Sequence, residues 1–213
     1  MLTVYHLGQS QSERIVWLCE ELGLPYELKR YNRDPNTKLA PPEYKALHPL
    51  GAAPVIQDGT IVMAESGAIV EYILTKYGKG RLVLSPSHPD YAQYVYWFHF
   101  SNGSLQPVMG RNLVLLRAKL PADHPVLVAQ KGRMDLALKF VDDRLGQSDY
   151  LATNELTAAD IMTVFVLTTM RYFYPADLSP YPHIVSYLRR IGEREAYRAA
   201  MRKGDPEMKL LLA

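Results

Sequence analysis

The sequence predicts an α/β layer followed by an all-helical bundle, and three observations carry that prediction. Four short runs with strand character lie within the first 64 residues: Leu2–Leu7, Tyr26–Arg30, Val55–Gln57 and Ile61–Met63. Between the first two runs, Ile15, Leu18, Cys19 and Leu22 recur at helical spacing on one face. From Tyr91 onward no segment alternates with a period of two and no hairpin turn occurs, while long stretches keep helical periodicity.

The elements follow in order. Leu2–Leu7 is rich in β-branched and aromatic residues and ends in the polar turn Gly8–Ser12. A helix starts at Glu13; Gly23 ends it and Pro25 blocks its continuation. Tyr26–Arg30 then completes a βαβ unit, which implies a parallel pair. Asn32–Lys38 is a polar loop, and Pro41, Pro42 and Glu43 suit the first turn of a short helix over Tyr44–Leu47 that Pro49 stops.

Pro54 stands at the entrance to an apolar run, where proline fits only the start or the edge of a strand. Asp58-Gly59 is a type I′ hairpin signal, so Val55–Gln57 and Ile61–Met63 pair antiparallel. Glu65 and Ser66 open a helix whose apolar positions are Ile69, Tyr72 and Ile73. Unpaired backbone N–H groups at such a start attract anions. With a cis Ala53–Pro54 bond, the Ala53 N–H and C=O also turn outward. This order of elements is typical of a thioredoxin-like layer with a mixed four-stranded sheet.

The segment 78–90 holds Gly78, Gly80, Pro86 and Pro89 and has the composition of a linker. The sequence therefore divides into a thioredoxin-like domain over 1–77, this linker, and an all-helical domain over 91–213. Helices are expected at about 91–118, 125–147, 157–173, 181–191 and 193–202, with a kink at Pro107. Thr157 and Asp160 form a capping box, with Leu156 and Ile161 as its hydrophobic staple. Its expected role is structural.

Composition limits the function. Hydrophobic residues make up 48% and charged residues 22% of the 213, which is ordinary for a globular protein with a proper core. The net charge is +2 and the basic residues are scattered, which leaves no electrostatic footprint for nucleic acid. The most apolar run, Ile161–Met170, is too short for a membrane span. A single cysteine, Cys19, excludes an internal disulfide framework, and the six histidines are dispersed without metal-ligand spacing. These features point to a cytoplasmic protein without a metal.

Several motifs, in their order and spacing, resemble the cytosolic glutathione transferases over essentially the full chain. They are Ser10-Gln11-Ser12-Glu13-Arg14 followed by Trp17–Tyr26; His48-Pro49-Leu50-Gly51-Ala52-Ala53-Pro54-Val55; Glu65-Ser66; and the Thr157–Asp160 cap. The first helix and the aromatic run Tyr94–Phe100 with Gly103-Ser104-Leu105 look most like the bacterial and fungal serine-type members.

The resemblance implies that the first domain binds glutathione as co-substrate and that the helical domain supplies the electrophile pocket. It implies a homodimer and a role in detoxification. Ala53, before Pro54, would hold the cysteinyl part through its backbone, and Glu65 and Ser66 the γ-glutamyl end. Ser10, four residues before Arg14, would donate a hydrogen bond to the sulfur; Ser12, Tyr5 and a backbone donor are the alternatives. One such bond to a charged group is worth about 1.5–3 kcal/mol, or roughly one to two units of thiol pKa. Many relatives carry a lysine where Ala52 stands; Lys38, Lys45 or His48 is the candidate substitute for the glycyl carboxylate, and without one glutathione would bind more weakly than the family norm. Cys19 lies on the apolar helix face and reads as core. Gln9, Tyr96, Phe100, Met109, Arg111 and Tyr172 are the candidate walls of the electrophile pocket. A non-catalytic ligand carrier and a glutathione-dependent peroxidase or reductase are the rival readings.

Overall fold

The first strand, β1 (Leu2–Leu7), is buried along its whole length and forms the axis of the N-terminal layer. The computed structural model describes all 213 residues, Met1–Ala213. β2 (Tyr26–Tyr31) pairs parallel with β1, with Leu2 opposite Tyr26 and His6 opposite Arg30. β3 (Val55–Asp58) pairs antiparallel on the other side of β1, and β4 (Ile61–Ala64) closes the sheet against β3. The sheet has four strands in the order β2-β1-β3-β4. The parallel pair follows from the helical crossover between β1 and β2. The antiparallel one turns at Gly59-Thr60 rather than at the expected Asp58-Gly59, since Asp58 already pairs with Ile61 and only Gly59 has positive φ (61°), so the turn is not type I′.

Helix α1 (Glu13–Leu22) buries Ile15, Val16, Trp17, Leu18 and Cys19 at 2% exposure or less. Each large side chain of this kind contributes about 1.5–3 kcal/mol on burial. Gly23 ends α1 in the left-handed conformation, and its N–H and that of Leu24 take up the Glu20 and Cys19 carbonyls. Helix α2 (Pro42–Lys45) is one turn that buries Tyr44, whose hydroxyl donates to the Tyr5 carbonyl. Helix α3 (Ser66–Tyr77) follows β4. Its far end is tied to the hairpin, because the Asp58 carboxylate accepts from Lys76 Nζ at 2.7 Å and from the hydroxyls of Tyr72 and Tyr77.

Two compact units result: Met1–Leu82 with Gly192–Leu210, and Val83–Ile191 with Leu211–Ala213. The expectation of a helical domain running unbroken over 91–213 is therefore corrected near its end. Helix α9 (Glu195–Gly204) packs on α1 in the first unit. Tyr197 meets Trp17 edge-on with ring centroids 5.0 Å apart. Arg194 grips Glu21 with two bonds of 2.7 and 2.9 Å. The amphipathic pattern of the last helix is legible in sequence, but the partner of its apolar face is not.

The second unit contains α4 (Tyr91–Phe100), α5 (Gln106–Arg117), α6 (Pro125–Leu145), α7 (Ala158–Leu167) and α8 (Pro182–Glu193) as far as Ile191. The kink expected at Pro107 takes the form of a π-helical turn over Ser101–Leu105. Proline cannot donate to the preceding turn, and the wider turn accommodates the lost bond. The Ser101 hydroxyl ties this turn to α7 through the Met162 carbonyl at 2.6 Å.

At the head of α7 the capping box forms as expected. Asp160 Oδ2 accepts from the Thr157 N–H at 2.9 Å, and Thr157 Oγ1 accepts from the Ala159 N–H. Asp160 Oδ1 also accepts from the Leu151 N–H and the Tyr187 hydroxyl. No helix is long and apolar enough to cross a membrane, and no group of His, Cys, Asp and Glu is arranged to hold a metal ion.

Candidate active site

The site is built on the turn between β1 and α1 and on the two segments that face it within the first unit. Gln9 opens the turn in the left-handed region at φ 52°, a conformation that costs a non-glycine residue free energy. Two anchors hold it there. The Gln9 N–H donates to Asp205 Oδ1 at 2.9 Å, and the Arg33 guanidinium donates to the carbonyls of Gly8, Gln9 and Lys38.

Ser10 and Ser12 lie next in the turn, both buried. Ser10 Oγ donates to the Leu7 carbonyl at 2.7 Å and is 2.7 Å from Ser12 Oγ. Ser12 Oγ accepts from the Leu7 N–H at 3.1 Å and lies 2.9 Å from His6 Nδ1. Ser12 occupies the cap position of α1 without capping it by its side chain. Its hydroxyl is committed to β1 instead. The Tyr5 hydroxyl donates to Gln57 Oε1 at 2.7 Å, which makes Tyr5 a strand aromatic tied to β3.

Opposite the turn, the Ala53–Pro54 peptide bond is cis. The Gln11 amide donates to the Ala53 carbonyl at 2.9 Å, and Gln11 Oε1 accepts from Arg14 Nη1. The same Arg14 nitrogen donates to Ser66 Oγ at 3.0 Å. Arg14 is fully buried, and that burial pushes its pKa down to about 9 against the opposing charges of Glu13 and Glu65. It is a cation at neutral pH. Glu65 is exposed at the head of α3 with φ 74°, a second left-handed residue at the site. A continuous chain of bonds thus joins Ser66 at the head of α3, through Arg14 and Gln11, to the cis bond.

Other residues singled out from sequence are placed as follows. His48 Nδ1 accepts from the Leu50 N–H, and Ala52 is exposed. The Lys45 stem runs beside Gly51, with its carbons 3.4 Å from where a Gly51 side chain would begin. Burial raises the Cys19 thiol to about 12, which leaves it unreactive.

The six candidates for the electrophile pocket do not form one group within either unit. Gln9 belongs to the first unit and the other five to the second. There Tyr96 stacks on Phe100 at 5.8 Å, while Met109 is 1% exposed and Arg111 Nε donates to Gln130. Tyr172 is 42% exposed. A separate cavity of about 750 Å³ in the second unit is lined by residues such as Asn112, Leu116, Leu127 and Tyr174.

Sequence reasoning missed His6, Asp205, Arg33 and Gln11 as parts of this arrangement. A histidine inside the otherwise apolar strand Leu2–Leu7 was the one available signal, because a buried ring nitrogen needs a partner.

Comparison with known proteins gives the same frame. The family model "Glutathione S-transferase, N-terminal domain" matches residues 10–76, and "Glutathione S-transferase, C-terminal domain" matches residues 105–195. Glutathione S-transferase 3 of Schizosaccharomyces pombe is 34% identical over 95% of this chain and 88% of its own length. The chain belongs to the glutathione S-transferase family.

A crystal structure of a glutathione S-transferase from Actinobacillus pleuropneumoniae resembles this family member with a TM-score of 0.88 at 36% identity. That likeness covers 96% of this chain and 93% of the other. A Pseudomonas fluorescens family member solved with two glutathione bound has a TM-score of 0.79 at 23% identity, over 94% and 92% of the two chains, and shows the shared fold. The thioredoxin-like layer, the helical unit and the standing as a transferase enzyme rest on these matches.

Proposed function

We propose that this glutathione S-transferase family member adds the thiolate of glutathione to small, partly apolar electrophiles, by substitution or conjugate addition. The observation that carries the reading is the bonded chain Ser66–Arg14–Gln11–Ala53. It fixes the α3 N-terminus and the cis bond next to the turn that presents Ser10. The Ser66 hydroxyl and the α3 N–H groups suit the γ-glutamyl carboxylate, and the exposed Glu65 suits its ammonium group. The Ala53 backbone suits the cysteinyl amide, whose N–H would take over the carbonyl that Gln11 holds. Lys45, whose stem runs beside Gly51, meets the glycyl carboxylate in this reading.

Ser10 is the sulfur's donor in this reading, and its hydroxyl turns from the Leu7 carbonyl to the thiolate. Ser12, committed to Leu7 and His6, supports it from behind. The raised thiol of Cys19 speaks against a mixed-disulfide mechanism through this chain. We place the enzyme in the cytoplasm as a homodimer acting in detoxification, in line with its family.

The test is the thiolate absorbance of bound glutathione followed across pH. Wild type is expected to lower the thiol pKa by about one to two units, and Ser10→Ala to restore it. An unshifted thiol in wild type would overturn the reading, and a shift that survives in Ser10→Ala would move the role away from Ser10.

A further inference from the structure

Behind Ser10 lies a line of buried groups that the conjugation chemistry as stated leaves unused. Ser10 Oγ and Ser12 Oγ are 2.7 Å apart, with either hydroxyl able to donate. Ser12 Oγ is 2.9 Å from His6 Nδ1, and His6 Nε2 is 3.0 Å from Asp205 Oδ2. His6 is 1% exposed and Asp205 is 9% exposed. The two backbones around them leave no room for a side chain. A Cβ on Gly204 would lie 3.1 Å from His6 Nε2, and one on Gly8 would lie 3.2 Å from Asp205 Oδ1. The same Asp205 carboxylate holds the Gln9 N–H, so one residue fixes both the imidazole and the turn.

We propose that Asp205, His6 and Ser12 form a proton relay ending at Ser10, with His6 Nδ1 receiving the proton that the glutathione thiol gives up. The proposal rests on the reading that Ser10 faces the glutathione sulfur. The bonding dictates the direction. An ionised carboxylate only accepts, so His6 Nε2 carries a hydrogen and, in the neutral ring, Nδ1 is the acceptor. Ser12 then donates to Nδ1, and Ser10 donates to Ser12 Oγ or to the Leu7 carbonyl. In that state the Ser10 proton points inward, away from a ligand.

When the thiol ionises, three protons shift together by one place. The S–H proton passes to Ser10 Oγ, the Ser10 proton to Ser12 Oγ, and the Ser12 proton to His6 Nδ1. Each oxygen loses one O–H bond and gains another. The products are a thiolate that accepts from Ser10, a Ser12 hydroxyl that donates to Ser10, and an imidazolium between Ser12 and the Asp205 carboxylate. No proton leaves the protein.

The charges around the pair are mixed. Arg33 acts on Asp205, Arg30 sits opposite His6 in the sheet, and Lys38 and Glu207 line the adjoining cavity. From the turn before α1 the Ser12 hydroxyl reaches the ring, and from α9 the Gly204 backbone packs against it. Asp205 is the one carboxylate in direct contact with the imidazole. His6, Ser12 and Asp205 are positioning residues in this scheme; Ser10 alone touches the sulfur.

The experiment uses the full chain and glutathione itself. Nitrogen NMR follows the His6 ring, assigned by comparison with His6→Gln, while calorimetry in two buffers of different ionisation enthalpy counts protons released on binding at neutral pH. In wild type, glutathione should add a second N–H to His6 and release close to no proton. His6→Gln, which reaches Asp205 but cannot take a proton, and Asp205→Asn, which keeps an acceptor for Gln9, should raise the bound thiol pKa by about one unit. Their kcat/KM at neutral pH should fall about tenfold or more, with affinity for glutathione little changed.

A wild-type His6 that stays neutral on binding, with one proton released, overturns the relay even if every variant misfolds. So do variants whose thiol pKa and proton count match wild type while Ser10→Ala restores the thiol, and in that case the role of Ser10 stands. A thiol unshifted in wild type, or indifferent to Ser10→Ala, overturns that role and the relay with it.

Discussion

Gly204 is the residue on which the geometry behind Ser10 depends most narrowly. A methyl group there meets the His6 ring at 3.1 and 3.2 Å, closer than carbon and ring atoms ordinarily approach. Gly204→Ala is expected to push the ring off Asp205 or Ser12 by a few tenths of an ångström. In a helix the same change removes a conformational cost of about 0.5–1 kcal/mol. The two effects oppose each other in stability but not in activity. We therefore expect a melting temperature within a few degrees of wild type together with a marked drop in kcat; equal activity would show that the ring does not need its present place. At this scale the left-handed Gln9 and Glu65 belong together, because each holds a positive φ next to a residue of the proposed glutathione site.

Among the elements, α7 carries the sharpest pH signature. Its Asp160 carboxylate is wholly buried, and burial raises its pKa to about 6 despite four donated hydrogen bonds. The folded state therefore binds the proton more tightly than the unfolded chain, whose value is near 3.8. The sign follows: this group's contribution to stability is full at the acid end and is lost as pH rises through about 6. Asp160→Asn does not titrate in that window. Measured by urea unfolding, the stability of wild type relative to Asp160→Asn should fall by up to about 3 kcal/mol between acid and neutral pH. A flat difference would mean that the bonds at the helix head hold the carboxylate ionised throughout. Asp58 runs the other way: Lys76 first, then Tyr77 and Tyr72, hold its carboxyl below the usual range. Its contribution is present above about pH 4 and is lost on acidification.

At the scale of the whole molecule, the strands, helices, turn residues and capping box were legible because each is written in neighbouring residues. Ile15, Leu18, Cys19 and Leu22 mark one helix face, Gly59 one turn (read a residue early, since Asp58 belongs to β3), and Thr157 with Asp160 one cap. The π-turn was legible only as a defect at Pro107, since the way a helix absorbs a missing donor depends on what packs beside it. His6 with Asp205, and Trp17 with Tyr197, were not legible at all, because they join residues some 200 and 180 positions apart. That long reach makes a prediction. A fragment of residues 1–82 leaves Trp17 and the α1 surface without α9, and is expected not to fold cooperatively. A peptide of residues 192–210 added in trans should bind it and shift the Trp17 fluorescence; a fragment that melts cooperatively alone would contradict this. The order of synthesis acquires a meaning here. The N-terminal unit cannot be finished until residues 192–210 have left the ribosome, because its last helix and Asp205 follow the whole stretch 83–191 in the chain. During translation the stretch 83–191 emerges before the first unit can close, and the carboxylate that the proposed relay needs behind Ser10 arrives only with Asp205. On the proposed chemistry, a chain made only as far as residue 191 is kept inactive by its own topology.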